Sequence, residues 1–275
     1  MKKSKRIRLK DLRAIYQLLG ECREMGDDHT LWKAHWAKGV AKLVDADMIM
    51  SGGLTGWRTG RLERMEDSFW SSNPNLDLTP WFRSLELWDE GGIDYQVLLP
   101  TFAESFQGQP SITTERQRLM DDKTWYRSFE FQEIHRQLEV DNILVTIQEM
   151  QSQTNDAYHT ALIARQIGKQ KYGAFELNLI QLIQEETAPL IGGALASVEE
   201  PKPSDLPPRV RQVLQCILEG DGDKQIAARL EISPHTVKQY VKTLFRFFQV
   251  NSRNELMARW IKRGWGRSFQ WNQNL

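Results

Sequence analysis

The stretch ASVEEPKPSDLPP, Ala196 to Pro208, holds four prolines in 13 residues. Proline has no backbone N–H and its ring clashes with the preceding turn, so no helix or central strand can run through this segment. The chain therefore divides here. Residues 1–195 form one expected domain, residues 196–205 a short semi-stiff linker, and residues 206–275 a second domain. A chain of 275 residues is long enough for two separate cores.

Net charge is zero overall but unevenly spread. Residues 204–275 carry 12 Lys/Arg against 6 Asp/Glu, a net of +6, and the rest of the chain carries −6. A basic end on an acidic body points to contact with a polyanion. No apolar run approaches the roughly 20 residues that span a bilayer. The opening MKKSKRIRLK is basic but lacks the apolar stretch of a signal peptide. A cytoplasmic protein without membrane contact is the expectation. The two cysteines, Cys22 and Cys216, have no partner spacing, which argues against a disulfide framework or a Cys-x-x-Cys metal site.

Four short helices are predicted after the linker. PRVRQVLQCILEG places Val210, Val213, Leu214, Ile217 and Leu218 at half-buried helical spacing, with Cys216 in the core and Gly220 and Gly222 ending it. DKQIAARL follows, capped by Asp223 and buried through Ile226, Ala227 and Leu230. In ISPHTVKQYVKTLFRFF, Ser233 can cap and Pro234 suits the first helical position. Val237, Tyr240, Val241, Leu244, Phe245 and Phe248 mark the inward stripe. NSRNELMARWIKRG is the last helix, capped by Asn251 or Ser252 and closed by Gly264.

Two short helices meeting at a tight turn, the second longer, form a helix-turn-helix, whose second helix enters the major groove of DNA with its first turns leading. Lys238, Gln239 and Lys242 share the face opposite the apolar stripe. Lysine can donate to guanine O6/N7 and glutamine can pair with adenine. His235 and Thr236 stand at the helix start, where free N–H groups favour phosphate. Taken singly, such residues are commonly just a solvated face. The cap, the short partner helix and the positive charge together favour DNA.

Residues 206–265 resemble the LuxR-type, or GerE-type, DNA-binding domain. The matching positions include Leu206, Arg209, Val213, Leu214, Lys224, Ile226 and Ala227. They continue through Ile232, Ser233, Thr236, Val237, Lys238 and Val241 to Val250, Ser252 and Arg253. The resemblance implies an all-α, four-helix domain that binds double-stranded DNA as a homodimer through its last helix. It places Lys238, Gln239 and Lys242 against bases, and Lys224, Thr236 and Arg246 against phosphates. A contact with RNA polymerase is a further expectation for such a regulator. Val210 and Pro207 depart from the usual Glu and Thr, and FRFFQV replaces a smaller Lys-Leu-Gly run.

The first 195 residues read as α+β, an antiparallel sheet with flanking helices. Helices are predicted at 8–24 and 29–44, the second burying Leu31, Trp32, His35, Trp36, Val40, Leu43 and Val44. ADMIMSG reads as a strand running into the Gly-rich turn SGGLTGW, and IDYQVLLPTF as a further strand. A helix at about 123–139 precedes a hairpin in DNILVTIQEMQSQTNDAYHTALIARQ. A long amphipathic helix at about 174–196 closes the domain, with Phe175, Leu179, Leu182 and Ile183 inward. The order resembles GAF- or PAS-like sensor domains, chiefly in the Arg165…Gly168…Phe175-Glu176 run near its end.

Trp57, Trp81, Trp88, Tyr95, Phe102 and Trp125 could line a small-molecule cavity, or simply fill the core. The Trp-x-x-x-Tyr and Asp-Pro pattern expected of acyl-homoserine lactone sensors is absent, as is the acidic cluster of a phosphoryl-accepting receiver. SGGLTGW lacks the Lys-Ser/Thr of a P-loop. His29, His35, His135 and His159 show no metal-ligand spacing, and no nucleophile motif occurs. Neither a cofactor nor an enzyme activity is expected. The expected function is a dimeric DNA-binding regulator whose first domain senses a small molecule or partner. The alternative makes that domain a ligand-free dimerisation or docking module.

Overall fold

The computed structural model describes residues 6–59, 61–91, 96–106, 108–150, 156–197 and 203–263. The chain forms two compact units, Met1–Cys22 with Thr30–Ile191 and Arg23–His29 with Gly192–Leu275. Within the second, Gly26 O accepts from Ala196 N at 2.5 Å, and a Cβ at Gly26 would lie 2.1 Å from Ala194 O.

The first unit begins with helices α1 (Leu9–Glu24) and α2 (His29–Val44), which bury Ile15, Leu18, Leu19 and Cys22, and Trp32, Trp36, Val40 and Val44. Leu31, expected to face inward, is 58% exposed. Strand β1 (Met48–Thr55) pairs with β2 (Glu63–Ser71). Helices α3 (Thr79–Gly91) and α4 (Leu98–Phe106) follow, then β3 (Ser111–Glu115), α5 (Arg116–Leu119) and α6 (Asp122–Arg127). A π-helical turn, Glu130–His135, leads into the hairpin β4 (Val140–Glu149) and β5 (Ala157–Gln166), and α7 (Ala174–Thr187) closes the unit. The five strands lie in the order β2-β1-β5-β4-β3, every pair antiparallel. This is the expected α+β arrangement.

Four further expectations need correction, and other elements were missed. Gly52 and Gly53 belong to β1, and the turn waits until Gly56, whose positive φ of 75° and approach to Arg61 O exclude a Cβ. The strand read in IDYQVLLPTF is helix α4 from Leu98 onward, and residues 92–95 lie outside the described residues. The helix read at 123–139 is two pieces, α6 and the π turn. The long last helix stops at Thr187 in a 3-10 turn, Ala188–Leu190, because Pro189 has no N–H to continue it. β2 and α3 were not foreseen. β2 is an edge strand rich in charge, which blurs the alternation that marks a strand.

Alternation along the strands gives the sheet two apolar faces. Met48, Met50, Ile143 and Val145 pack in one cluster with Trp57, Phe102, Trp125 and Phe131. The opposite face meets α2 and α7. There the His159 ring lies edge-on to Trp36, centroids 5.3 Å apart, and its Nδ1 donates to Gln184 Oε1 at 2.7 Å. Trp36 Nε1 donates to Thr187 Oγ1 at 3.1 Å. The run that suggested a GAF-like end is used structurally. Arg165 donates to the carbonyls of Val44 and Asp45 at the end of α2, while Glu176 accepts from Gly173 N and so caps α7.

The second unit contains α8 (Pro208–Leu218), α9 (Asp223–Arg229), α10 (Pro234–Phe247) and α11 (Arg253–Arg263). Val213, Leu214, Ile217, Ile226, Val237 and Leu244 make its core, joined by Cys216 and Phe248. Gly222, not Asp223, precedes α9, and its N–H donates to Gln225 Oε1. Ser233 caps α10 as expected, accepting from Thr236 N at 3.0 Å. Ser252 Oγ accepts from Glu255 N at the start of α11. Gly264 lies outside the described residues.

Two consequences are measurable. Burial pushes the His159 imidazole down to about 4, opposed by its bond to Gln184 and reinforced by the charge of Lys33. The folded ring stays neutral while the unfolded one takes a proton near its ordinary value. Stability therefore falls as pH drops from about 6.5 toward 4, by up to about 1.4 kcal/mol per pH unit. Urea titrations across that range should show a shallower fall in His159→Gln, and equal slopes would remove His159 as the source. Ser233→Ala should lose about 1 kcal/mol through its cap, read as a lower thermal midpoint of the second unit.

Candidate functional site

The outward face of α10 follows from its cap and stripe. Ser233 fixes where the helix starts, and Val237, Leu244 and Phe248 fix which side is buried. Lys238, Gln239 and Lys242 are then left exposed, with His235 one turn earlier and Arg246 one turn later on the outside. Gln239 Nε2 lies 3.4 Å from His235 Nε2, so these two side chains meet. Thr236 is half-buried, and its hydroxyl lies 2.8 Å from Ser233 Oγ, within the cap. Lys224, in the first turn of α9, is exposed.

The cations of this unit fall into two groups. Arg229 pairs with Glu219 and with Asp221, the latter at 3.0 Å, and is held well above its usual range by those carboxylates. Arg253 pairs with Asp223 and donates to Asp221 O at 2.8 Å, tying the start of α11 to the turn before α9. Lys224, Lys238, Lys242 and Arg246 have no ion-pair partner among the described residues. The first group holds the helices together, and the second is available to a polyanion.

The first unit contains a cavity of about 120 Å³ between the sheet and α3, α4 and the π turn. That far exceeds the roughly 10–15 Å³ that admits one water. Trp81 and Trp88 line it, together with Met50, Leu98, Leu99, Ile134 and Leu162. Of the other aromatic candidates, Trp57, Phe102 and Trp125 do not line it. They are fully buried core residues, Trp125 donating to Asp141 Oδ1 at 3.1 Å. Tyr95 lies outside the described residues.

Polar groups at the cavity were not foreseen. Ser51 Oγ lies 2.8 Å from Ser68 Oγ, Thr160 Oγ1 donates to Thr146 O, and Ser84 Oγ donates to Trp81 O. Asp67 is paired with Arg64. Glu130 is buried, and its Oε2 accepts from Val97 N at 2.7 Å and Leu98 N at 2.9 Å. Its Oε1 stands 3.3 Å from His135 Nε2, while His135 Nδ1 is buried without a hydrogen-bond partner. Glu and His five apart give no sequence signal, because in an α-helix they point about 140° apart. Among the described residues no group of three His, Cys, Asp or Glu could hold a metal, and no helix is long and apolar enough to cross a membrane.

Residues 204–259 match the GerE family, described as bacterial regulatory proteins, luxR family, a family of regulators rather than enzymes. Over 107 residues the chain is 33% identical to response regulator Rre1 of Synechocystis sp., a stretch that is 38% of this chain and 46% of that protein. The chain thus spans about half the length of the curated relative it matches. Among solved structures it is similar to Escherichia coli SdiA at 13% identity, with a TM-score of 0.42 over 92% of this chain and 98% of that one. SdiA in complex with octanoyl-rac-glycerol gives 14% identity and 0.42 over 94% and 96%. The Vibrio cholera VqmA–ligand–DNA complex gives 16% and 0.24 over 65% and 72%. The unit built on α8 to α11 carries, in residues 204–259, the helix-turn-helix DNA-binding domain of the luxR family of bacterial regulatory proteins.

Proposed function

We propose that this chain is a transcription regulator that binds double-stranded DNA as a homodimer and responds to a small molecule held in its first unit. One observation carries the DNA half: the exposed face of α10 collects Lys238, Gln239 and Lys242, its two lysines without an ion-pair partner among the described residues while Arg229 and Arg253 are tied into the fold. Lys238, Gln239 and Lys242 read base edges, because lysine donates to guanine and the glutamine amide both donates to and accepts from adenine. Lys224, His235, Thr236 and Arg246 hold phosphates on either side. Thr236 does so through a hydroxyl already shared with Ser233. The sensing half rests on the cavity, which is mostly apolar with a few buried polar groups, the usual make-up of a small-molecule site. The antiparallel sheet with helices on both faces supports reading this unit as GAF- or PAS-like, and the cavity favours a sensor over a ligand-free docking module. A bound molecule acts on DNA only by favouring one arrangement of the protein over another.

Selection of preferred sites from random duplex, followed by binding titrations, tests the reading face. Gln239→Ala and Lys238→Ala should each lose roughly 1–3 kcal/mol at the preferred site and relax its sequence. Lys224→Ala should weaken all duplexes alike and reduce the salt slope by about one. Unchanged preference in Gln239→Ala would place the reading face elsewhere. Native mass spectrometry of the full chain should show a dimer, and a mass released on denaturation would identify the effector. A monomer on and off DNA would exclude the homodimer.

A further inference from the structure

On the reading face proposed above, Gln239 does not stand alone. His235 lies one turn earlier on α10, and side chains four apart are neighbours on a helix surface. Their nitrogens face each other, Gln239 Nε2 lying 3.4 Å from His235 Nε2. Two nitrogens share a hydrogen only if one of them accepts. An amide nitrogen cannot, so the imidazole does, and the hydrogen comes from Gln239. The ring is then neutral, with Nε2 bare and its one proton on Nδ1. His235 is exposed, and its Nδ1–H is left to donate to a phosphate oxygen, the role given to this residue above.

The same contact fixes the amide. Its two hydrogens diverge, one lying beside Oε1 and the other pointing away from it. Giving the outer hydrogen to His235 leaves Oε1 and the inner N–H side by side. That pair matches the major-groove edge of adenine, where N6–H donates and N7 accepts. Guanine presents two acceptors there, O6 and N7, so Oε1 would meet an acceptor. A free amide can turn to offer guanine hydrogens alone. One held by His235 turns only by breaking that bond.

We propose that His235 is a positioning residue for base recognition: it holds the Gln239 amide so that the protein prefers A·T to G·C at the base pair Gln239 meets, while its Nδ1–H binds a phosphate. This rests on the reading face of α10 and adds a specificity determinant within it.

The test is a double-mutant cycle on the full chain, read as a ratio of affinities. The probes are the duplex preferred by wild type in selection from random sequence and its copies changed at the one base pair that Gln239→Ala ceases to distinguish. Wild type should prefer A·T to G·C there, and His235→Ala should reduce that ratio about fivefold, the worth of one ordinary hydrogen bond. In a Gln239→Ala background the same change should leave the ratio where it is. Loss of the phosphate contact weakens both duplexes alike and cancels in the ratio, so a purely structural or phosphate role for His235 would not move it. An unchanged ratio in His235→Ala, an equal change in both backgrounds, or a wild-type preference for G·C would each overturn the inference and leave the reading face standing. If Gln239→Ala relaxed no base pair at all, the reading face itself would fail and take the inference with it.

Discussion

A single buried carboxylate holds together the part of the first unit that matters most for its site. Glu130 takes the first N–H groups of α4 on one oxygen and faces His135 with the other. An N-terminal helix amide buried without a partner would cost on the order of 1–3 kcal/mol, so α4 as a helix depends on a residue more than 30 positions along the chain. The same contact holds α4 and the π turn apart by a fixed amount, and the cavity lies between them and the sheet. Cap, turn and cavity are one arrangement.

The sheet supplies the frame for it. The β4–β5 hairpin lies central, with β1 on one side and β3 on the other, so both faces of its middle strands are buried. One face carries the aromatic cluster around Trp57, Phe102 and Trp125. The other carries a polar seam, His159 with Gln184 and Trp36 with Thr187, inside an otherwise apolar layer. Each bond in that seam satisfies a group that burial would otherwise penalise, and together they fix how α2 and α7 lie on the sheet.

The second unit works by a simpler division. Its apolar stripe and the Ser233 cap orient α10, and Glu219, Asp221 and Asp223 are spent on Arg229 and Arg253. What remains outside is polar and cationic. A neutral chain thus presents unpaired cations on the outer face of α10, because these three carboxylates are used within the unit.

How much was legible differs between the units for a physical reason. In the second, local rules and tertiary outcome agree: helical spacing and the Ser-Pro start point to the same four helices. Its helices and exposed cations could be read from sequence, apart from the shift of one cap to Gly222. In the first, sequence determined the two opening helices, the hairpin and the start of α7, all strongly periodic. It misread 98–102 as a strand because Val97-Leu98-Leu99 is a short apolar run, which periodicity cannot assign. Glu130, reaching from a distant turn, made it a helix. The same holds for the aromatics: their number showed that something large is buried, but only packing sent Trp81 and Trp88 to the cavity and Trp57, Phe102 and Trp125 to the core. Local periodicity and capping determined which face of α10 is exposed. The cavity and its His135 were decided by contacts between distant segments, which no local pattern encodes.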